Sequence, residues 1–252
     1  MKRILTAAIL VPTIMWAVLW APQWMFLAVI ALVGLGAFYE FDTIAGTGSR
    51  WLGMAAGLVF LLTPDPVLPV LVVIAILLMA AQLGAKDLGR ALPSASGALL
   101  GIVYIFGAWR CATLLREANP HWLMIALLVS WTGDTAAMYV GKAWGRTKLA
   151  PRVSPGKTVE GAAASVIAGA LTAAVYGHFL IPFEDLAVLL FVGTLANVAG
   201  QLGDLCESAF KRGAGVKDSG TMLPGHGGWL DRIDSSLFSV PAVYLLLLVL
   251  HQ

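Results

Sequence analysis

The chain has 252 residues, 59% of them hydrophobic and 12% charged, with a mean hydropathy of +0.85. That balance excludes an ordinary soluble domain and fits a polytopic membrane protein. A formal net charge of +2 gives a nucleic-acid partner no electrostatic support. Cys111 and Cys206 both fall inside apolar runs and read as small core residues rather than a disulfide framework.

Apolar runs predict nine spans, at about 4–20, 24–40, 51–63, 67–84, 97–115, 121–142, 159–181, 185–207 and 235–251. A spanning segment must satisfy its own backbone hydrogen bonds, so helices are expected throughout. The predicted fold class is therefore all-α, one polytopic membrane domain over 1–252. Residues 1–125 form a helical scaffold and 126–252 the motif-bearing catalytic part. The first run resembles a signal peptide, with Lys2 and Arg3 ahead of apolar residues, but its length, Pro12 and the spans that follow favour retention. The third run is shorter than the ~17–25 residues of a full span. Losing it alone would invert every later loop.

Charge supports the count of nine. With nine spans, 14 of the 16 basic residues fall on the side of the N-terminus, leaving Arg110 and Arg116. The positive-inside rule then places the N-terminus and the polar loops in the cytoplasm and the C-terminus outside. Arg110 lies inside the fifth span. A structural ion pair, snorkelling toward Arg116 and a role in anion binding all remain open for it. Glu40 and Asp42, closing the second span, read as an interfacial helix end.

Three polar constellations share the cytoplasmic side. The first, residues 131–161, is WTGDTAAMYVGKAWGRTKLAPRVSPGKTVEG. Asp134 is an ionisable residue within a span, with Thr135 and Tyr139 as neighbouring hydroxyls. A solvated positive loop accounts for Arg146 and Lys148. Ser154, Lys157 and Thr158, beside Pro155 and Gly156, precede the seventh span, where backbone N–H groups and Lys157 suit a phosphate at a helix N-terminus. This is not a P-loop, because its first glycine is missing and no strand is expected before it. The second constellation is Gly203-Asp204-Leu205-Cys206-Glu207-Ser208, with Asp204, Glu207, Ser208 and Lys211 on one helical face. Glu207 and Lys211 read first as a helix-end ion pair. Asp204 has no local partner and reads as a metal or substrate residue.

The third runs from Ser208 to Asp234 and holds Lys211, Arg212, Lys217, Asp218, Asp231, Arg232 and Asp234 among six glycines. Pro224-Gly225-His226-Gly227-Gly228 suits close backbone approach to an anion. Asp231 and Asp234, at i and i+3, place carboxylates on one face. Hard oxygen ligands beside a basic phosphate pocket suit Mg²⁺. Helix capping explains one aspartate, not the whole group.

These residues resemble the bacterial phosphatidate cytidylyltransferases, or CDP-diacylglycerol synthases. The signature stands here as Ser208, Lys211-Arg212, Lys217-Asp218, Pro224 to Gly228, and Asp231-Arg232-Ile233-Asp234. WTGDT, LAPRVSPGKTVEG and GDLCES add to it, so the motif-bearing likeness covers about 131–236. Trp229 departs from the aliphatic residue expected there and bears on local packing. The resemblance implies that CTP and phosphatidic acid give CDP-diacylglycerol and pyrophosphate with Mg²⁺, and with a second cation in a two-metal version. It implies catalytic roles for Asp218, Asp231, Lys217 and Arg232, and metal ligation by Asp204, Asp218, Asp231 and Asp234. Substrate binding falls to Ser154, Lys157, Thr158, Ser208, Lys211, Arg212, Gly225, His226, Gly227 and Gly228. The expected location is the bacterial inner membrane, with the bilayer and a homodimer as partners and no nucleic acid. Three rivals stand beside it: a cytidylyltransferase for a different lipid phosphate, a CTP-dependent lipid-alcohol kinase, and an anion transporter or channel lined by Asp134, Arg110 and Lys157.

Overall fold

The computed structural model describes residues 2–221 and 227–250. Every predicted apolar run is helical. In chain order the helices are α1 (Lys2–Leu19), α2 (Gln23–Ala45), α3 (Arg50–Leu62), α4 (Leu68–Ala81), α5 (Ala91–Gly101), α6 (Ala108–Ala118) and α7 (Pro120–Trp144). After a two-stranded hairpin come α8 (Val159–Leu180), α9 (Leu186–Gly213), a short α10 (Leu230–Ile233) and α11 (Ser236–Leu250). A single π-wound segment, Ile102–Gly107, joins α5 to α6 without a break in the rod.

Six stretches among the described residues are long and apolar enough to cross a bilayer. They are Gln23–Ala45, Leu88–Ala118, Pro120–Trp144, Val159–Leu180, Leu186–Gly213 and Leu230–Leu250. The chain is a multi-pass, all-α membrane protein. Helices α3 and α4, with 13 and 14 residues, rise only about 20 Å at ~1.5 Å per residue, against a hydrocarbon core of ~30 Å.

Arg110 explains how α3 ends there. Its guanidinium donates to the carbonyls of Phe60 and Leu61, each at 3.4 Å, and of Thr63 at 2.5 Å, and pairs with Asp65 at 2.9 Å. It thus satisfies carbonyls that a helix C-terminus leaves without intrahelical donors. The ion-pair reading of Arg110 stands. Arg116 turns elsewhere, to Gln23 and the carbonyls of Val18 and Ala21.

The core sits where α2, α3 and the Ile102–Gly107 segment meet. Phe38 and Phe106 pack there at 5.9 Å between ring centroids, against the small residues Gly53 and Gly57 of α3. The second half is tied by polar contacts. Asn197 of α9 donates to Ser165 of α8 and the Val129 carbonyl of α7, and Ser130 bonds to Ser239 of α11. Bonds of this kind inside a bilayer average ~0.6 kcal/mol each, so they fix orientation more than they add stability.

Two boundaries differ from expectation. Helix α9 continues past residue 207 to Gly213, because Lys211 and Arg212 in its last turn suit the negative end of the helix dipole. Ser154–Thr158 is not a loop. It forms β2, antiparallel to β1 (Lys148–Ala150), with Lys148 opposite Thr158 and Ala150 opposite Ser154.

Candidate active site

The hairpin is anchored by Glu160, whose carboxylate accepts from the N–H groups of Arg146 and Thr147. Thr158 is buried and caps α8 by accepting from Gly161 N at 3.2 Å. It therefore holds the start of α8. Ser154 is half-buried within β2. The gain from this framework is Lys157, which projects to Asp204 of α9 at 2.6 Å.

Asp204 is oriented twice. Lys157 takes Oδ2, and Ser208, one turn on, donates to Oδ1 at 3.3 Å. Ser208 is thereby a support for Asp204. Gly203 allows α9 to reach the start of α11. A Cβ there would stand 2.6 Å from the Asp234 carbonyl oxygen and 2.8 Å from Phe238 Cδ2. The charges of Asp204, Glu207 and Asp134 all bear on Asp234, and Lys157 and Asp204 bear on Asp134. The Thr135 hydroxyl bonds back to the Trp131 carbonyl and adds nothing to this group.

A second ion-paired group lies beside the first. Lys211 is 8% exposed and sits between Asp231, at 2.5 Å, and Glu207, which has no exposure at all. Glu207 and Lys211 pair as expected, but in the interior rather than at a solvated helix end. Asp231 Oδ2 also accepts from the N–H groups of Ser219 and Gly228, at 2.9 Å each. Gly227 has φ near +78°, which favours glycine, and a Cβ on it would stand 2.9 Å from Asp231 Oδ2.

The other described signature residues are exposed around this group. Lys217 and Asp218 are exposed, with Asp218 opposite Gly227 across the loop. Arg212 is exposed and links the hairpin turn to its own loop through the carbonyls of Val153 and Val216. Arg232 is exposed within α10. Gly225 and His226 lie outside the described residues. Trp229 packs on Gly36 of α2, its ring 3.2 Å from where a Cβ would stand, so α2 has made room for the larger side chain.

Among the described residues, no three of His, Cys, Asp and Glu stand close enough to cage a metal ion. That arrangement still fits Mg²⁺, which is held through one or two carboxylates, with phosphates and water completing its shell. Asp204 and Asp234 offer hard oxygens in a site with excess negative charge. Among the described residues, Asp231 accepts three of the roughly four bonds a carboxylate can take.

Sequence reasoning missed Glu40 and Ser219. Glu40 is 2% exposed and joined to the signature loop, not placed at an interface. A signal was present: no basic residue lies three or four positions from Glu40 in either direction, so its partners had to come from another element. Asp42 does close its helix locally, on Thr47 and Arg50.

The sequence model of the family described as "Cytidylyltransferase family" matches residues 1–250. The chain belongs to that family. It is 32% identical over 231 residues to a phosphatidate cytidylyltransferase of Staphylococcus aureus (strain COL), covering 89% of each chain. It is 46% identical over 154 residues to that of Bacillus subtilis (strain 168), covering 59% of this chain and 56% of the relative. The match to the Staphylococcus haemolyticus protein is 40% over 150 residues, 60% of this chain and 58% of that one.

Proposed function

We infer that this chain transfers the cytidylyl group of CTP to phosphatidic acid, giving CDP-diacylglycerol and pyrophosphate. The observation that carries the reading is the meeting of three separated motif pieces: Lys157 on Asp204, Lys211 on Asp231 and Glu207, and Asp234 backed against Gly203 within reach of the Asp204 and Glu207 charges. The relatives, both phosphatidate cytidylyltransferases by name, support the same substrates.

The chemistry follows from the charges. The lipid phosphate is a monoester carrying about −1.5 to −2 charges near neutral pH, so no general base is required. One of its oxygens bonds to the α-phosphorus of CTP, the bond from that phosphorus to the bridging oxygen breaks, and pyrophosphate leaves with the electron pair. The barrier is repulsion between anions, which positioned cations reduce. In this proposal Lys157, Arg212, Lys217 and Arg232 neutralise the triphosphate and the lipid phosphate. Lys211 acts one step back, by holding Asp231. Gly225, His226, Gly227 and Gly228 form the loop that receives pyrophosphate. Mg²⁺ is proposed on Asp204 and Asp234, with Asp218 and Asp231 available to it or to a second cation. When bound, it would supply charge neutralisation on the phosphates and the leaving oxygen.

Lys157→Ala is expected to lower kcat/KM for CTP about 10–150-fold, the equivalent of a charge-assisted hydrogen bond of ~1.5–3 kcal/mol. Initial rates at varied CTP check this, and an unchanged kcat/KM would remove Lys157 from the triphosphate site.

We also propose that 1–252 is one membrane domain, with a scaffold to about 125, in the bacterial inner membrane. Its N-terminus and active site face the cytoplasm and its C-terminus lies outside. The short α3 and α4 support this without a full crossing each, since a hairpin that turns back removes two crossings and leaves the later orientation unchanged. A reporter fused after Gln252 should read as external; a cytoplasmic reading would show an odd miscount. A homodimer is part of the same proposal, decided by the mass of the protein in detergent. The transporter reading finds less support, because Arg110 is held by Asp65 and α3 while Lys157 is held by Asp204.

A further inference from the structure

Glu40 lies near the end of α2, far in sequence from every motif, and yet its carboxylate is buried inside the signature loop. Asp42, two residues on, has Arg50 as a counter-ion at 3.2 Å. Glu40 meets hydroxyl and backbone donors instead. Its Oε2 accepts from Ser219 Oγ at 2.8 Å and from Leu230 N at 3.0 Å. Those two residues stand on either side of 220–229, the stretch that contains Pro-Gly-His-Gly-Gly. One carboxylate therefore holds both ends of the loop.

The loop is shaped around that group. A Cβ at Gly228 would overlap Oε2 and Ser219 Oγ, and one at Gly220 would overlap Oε1. A side chain at either position would have to displace the carboxylate from this place. The contact then passes directly to Asp231. Ser219 Oγ, which donates to Glu40, accepts from Asp231 N at 3.3 Å, while Ser219 N and Gly228 N donate to Asp231 Oδ2. Asp231 in turn holds Lys211.

We propose that Glu40 is a positioning residue for the transfer reaction, holding Ser219 and Leu230 together and through them setting the orientation of Asp231. The proposal rests on the cytidylyltransferase reading for its kinetic part alone. Geometry explains why an acceptor is needed: without it, the Ser219 O–H and the Leu230 N–H lose the acceptor that both donate to. Glutamine suffices in principle. Oε1 has no hydrogen-bond partner among the described residues, so an amide nitrogen can take its place while the oxygen keeps both bonds.

The test compares Glu40→Ala, Glu40→Gln and Ser219→Ala in purified full-length protein. Rates with CTP and phosphatidic acid are read beside hydrogen exchange at Leu230. Glu40→Ala should lower kcat about 10–100-fold, as loss of a supporting residue around a charged site does, with KM changing less than kcat. Exchange at Leu230 should rise. Glu40→Gln should restore most of kcat and the protection. Ser219→Ala should fall in the same direction, and the Glu40→Ala/Ser219→Ala double variant should lose no more than Glu40→Ala alone. Full kcat and unchanged exchange in Glu40→Ala would overturn the proposal, as would Glu40→Gln as impaired as alanine. Should Glu40→Ala fail to fold, full activity and protection in Ser219→Ala overturn it instead. Wild-type protein inactive on these substrates would overturn the reaction, leaving exchange to judge Glu40.

Discussion

Asp231→Asn is expected to lower cytidylyl transfer about 100-fold while the protein remains folded in the membrane. The loss has two sources. The substitution removes a negative charge from the proposed cation site. It also breaks the donor pattern: Asp231 accepts from Lys211, Ser219 N and Gly228 N, and an amide nitrogen in either position would meet a donor. Folding is retained because Lys211 keeps Glu207 as its counter-ion, so the buried pair stays neutral. Supporting residues of metal sites cost ~10–100-fold when removed, and a proposed ligand should sit at or beyond the upper end. Steady-state rates beside thermal melting in detergent check both halves. More than about a tenth of wild-type turnover would take Asp231 off the list of ligands.

Lys211→Met should show the opposite balance, failing chiefly in stability. The methionine fills much of the same volume but leaves Glu207 and Asp231 facing each other without a cation. Removing one partner of a buried ion pair costs about 3–5 kcal/mol, a large share of the ~5–15 kcal/mol that holds a typical domain. The expected result is a sharply lower melting temperature and a poor yield of dispersed protein. Adding Glu207→Gln should recover part of the loss by removing one stranded charge. A Lys211→Met protein that melts like wild type would show that Lys211 carries no buried ion pair.

How much was legible follows from what apolar patterning reports. Runs of apolar residues mark a helix whether it faces lipid or a neighbour, so all nine appeared as helices. Their ends were harder to read. Helix α9 outlasts its apolar run because basic residues are favourable in a last turn, whereas α3 ends within a residue of its predicted limit. The hairpin carries no alternating pattern, since its two short strands pair only with each other and bury little. At the site, Asp204, Lys157 and Asp231 stood out as charges in an apolar chain. That Lys157 meets Asp204, 47 positions away, was not visible. Glu40 was harder still, its Ser219 partner lying 179 positions off. Its lack of a local counter-ion showed that a partner was needed, not which one.

The most direct test of the central claim follows the label from CTP in detergent micelles holding purified protein, phosphatidic acid and Mg²⁺. With CTP labelled at the α-phosphate, the label should enter the lipid phase one-for-one with pyrophosphate released. With label at the γ-phosphate, it should stay in water. The reverse pattern, γ-label in lipid and CDP left behind, would contradict cytidylyl transfer and make the protein a kinase.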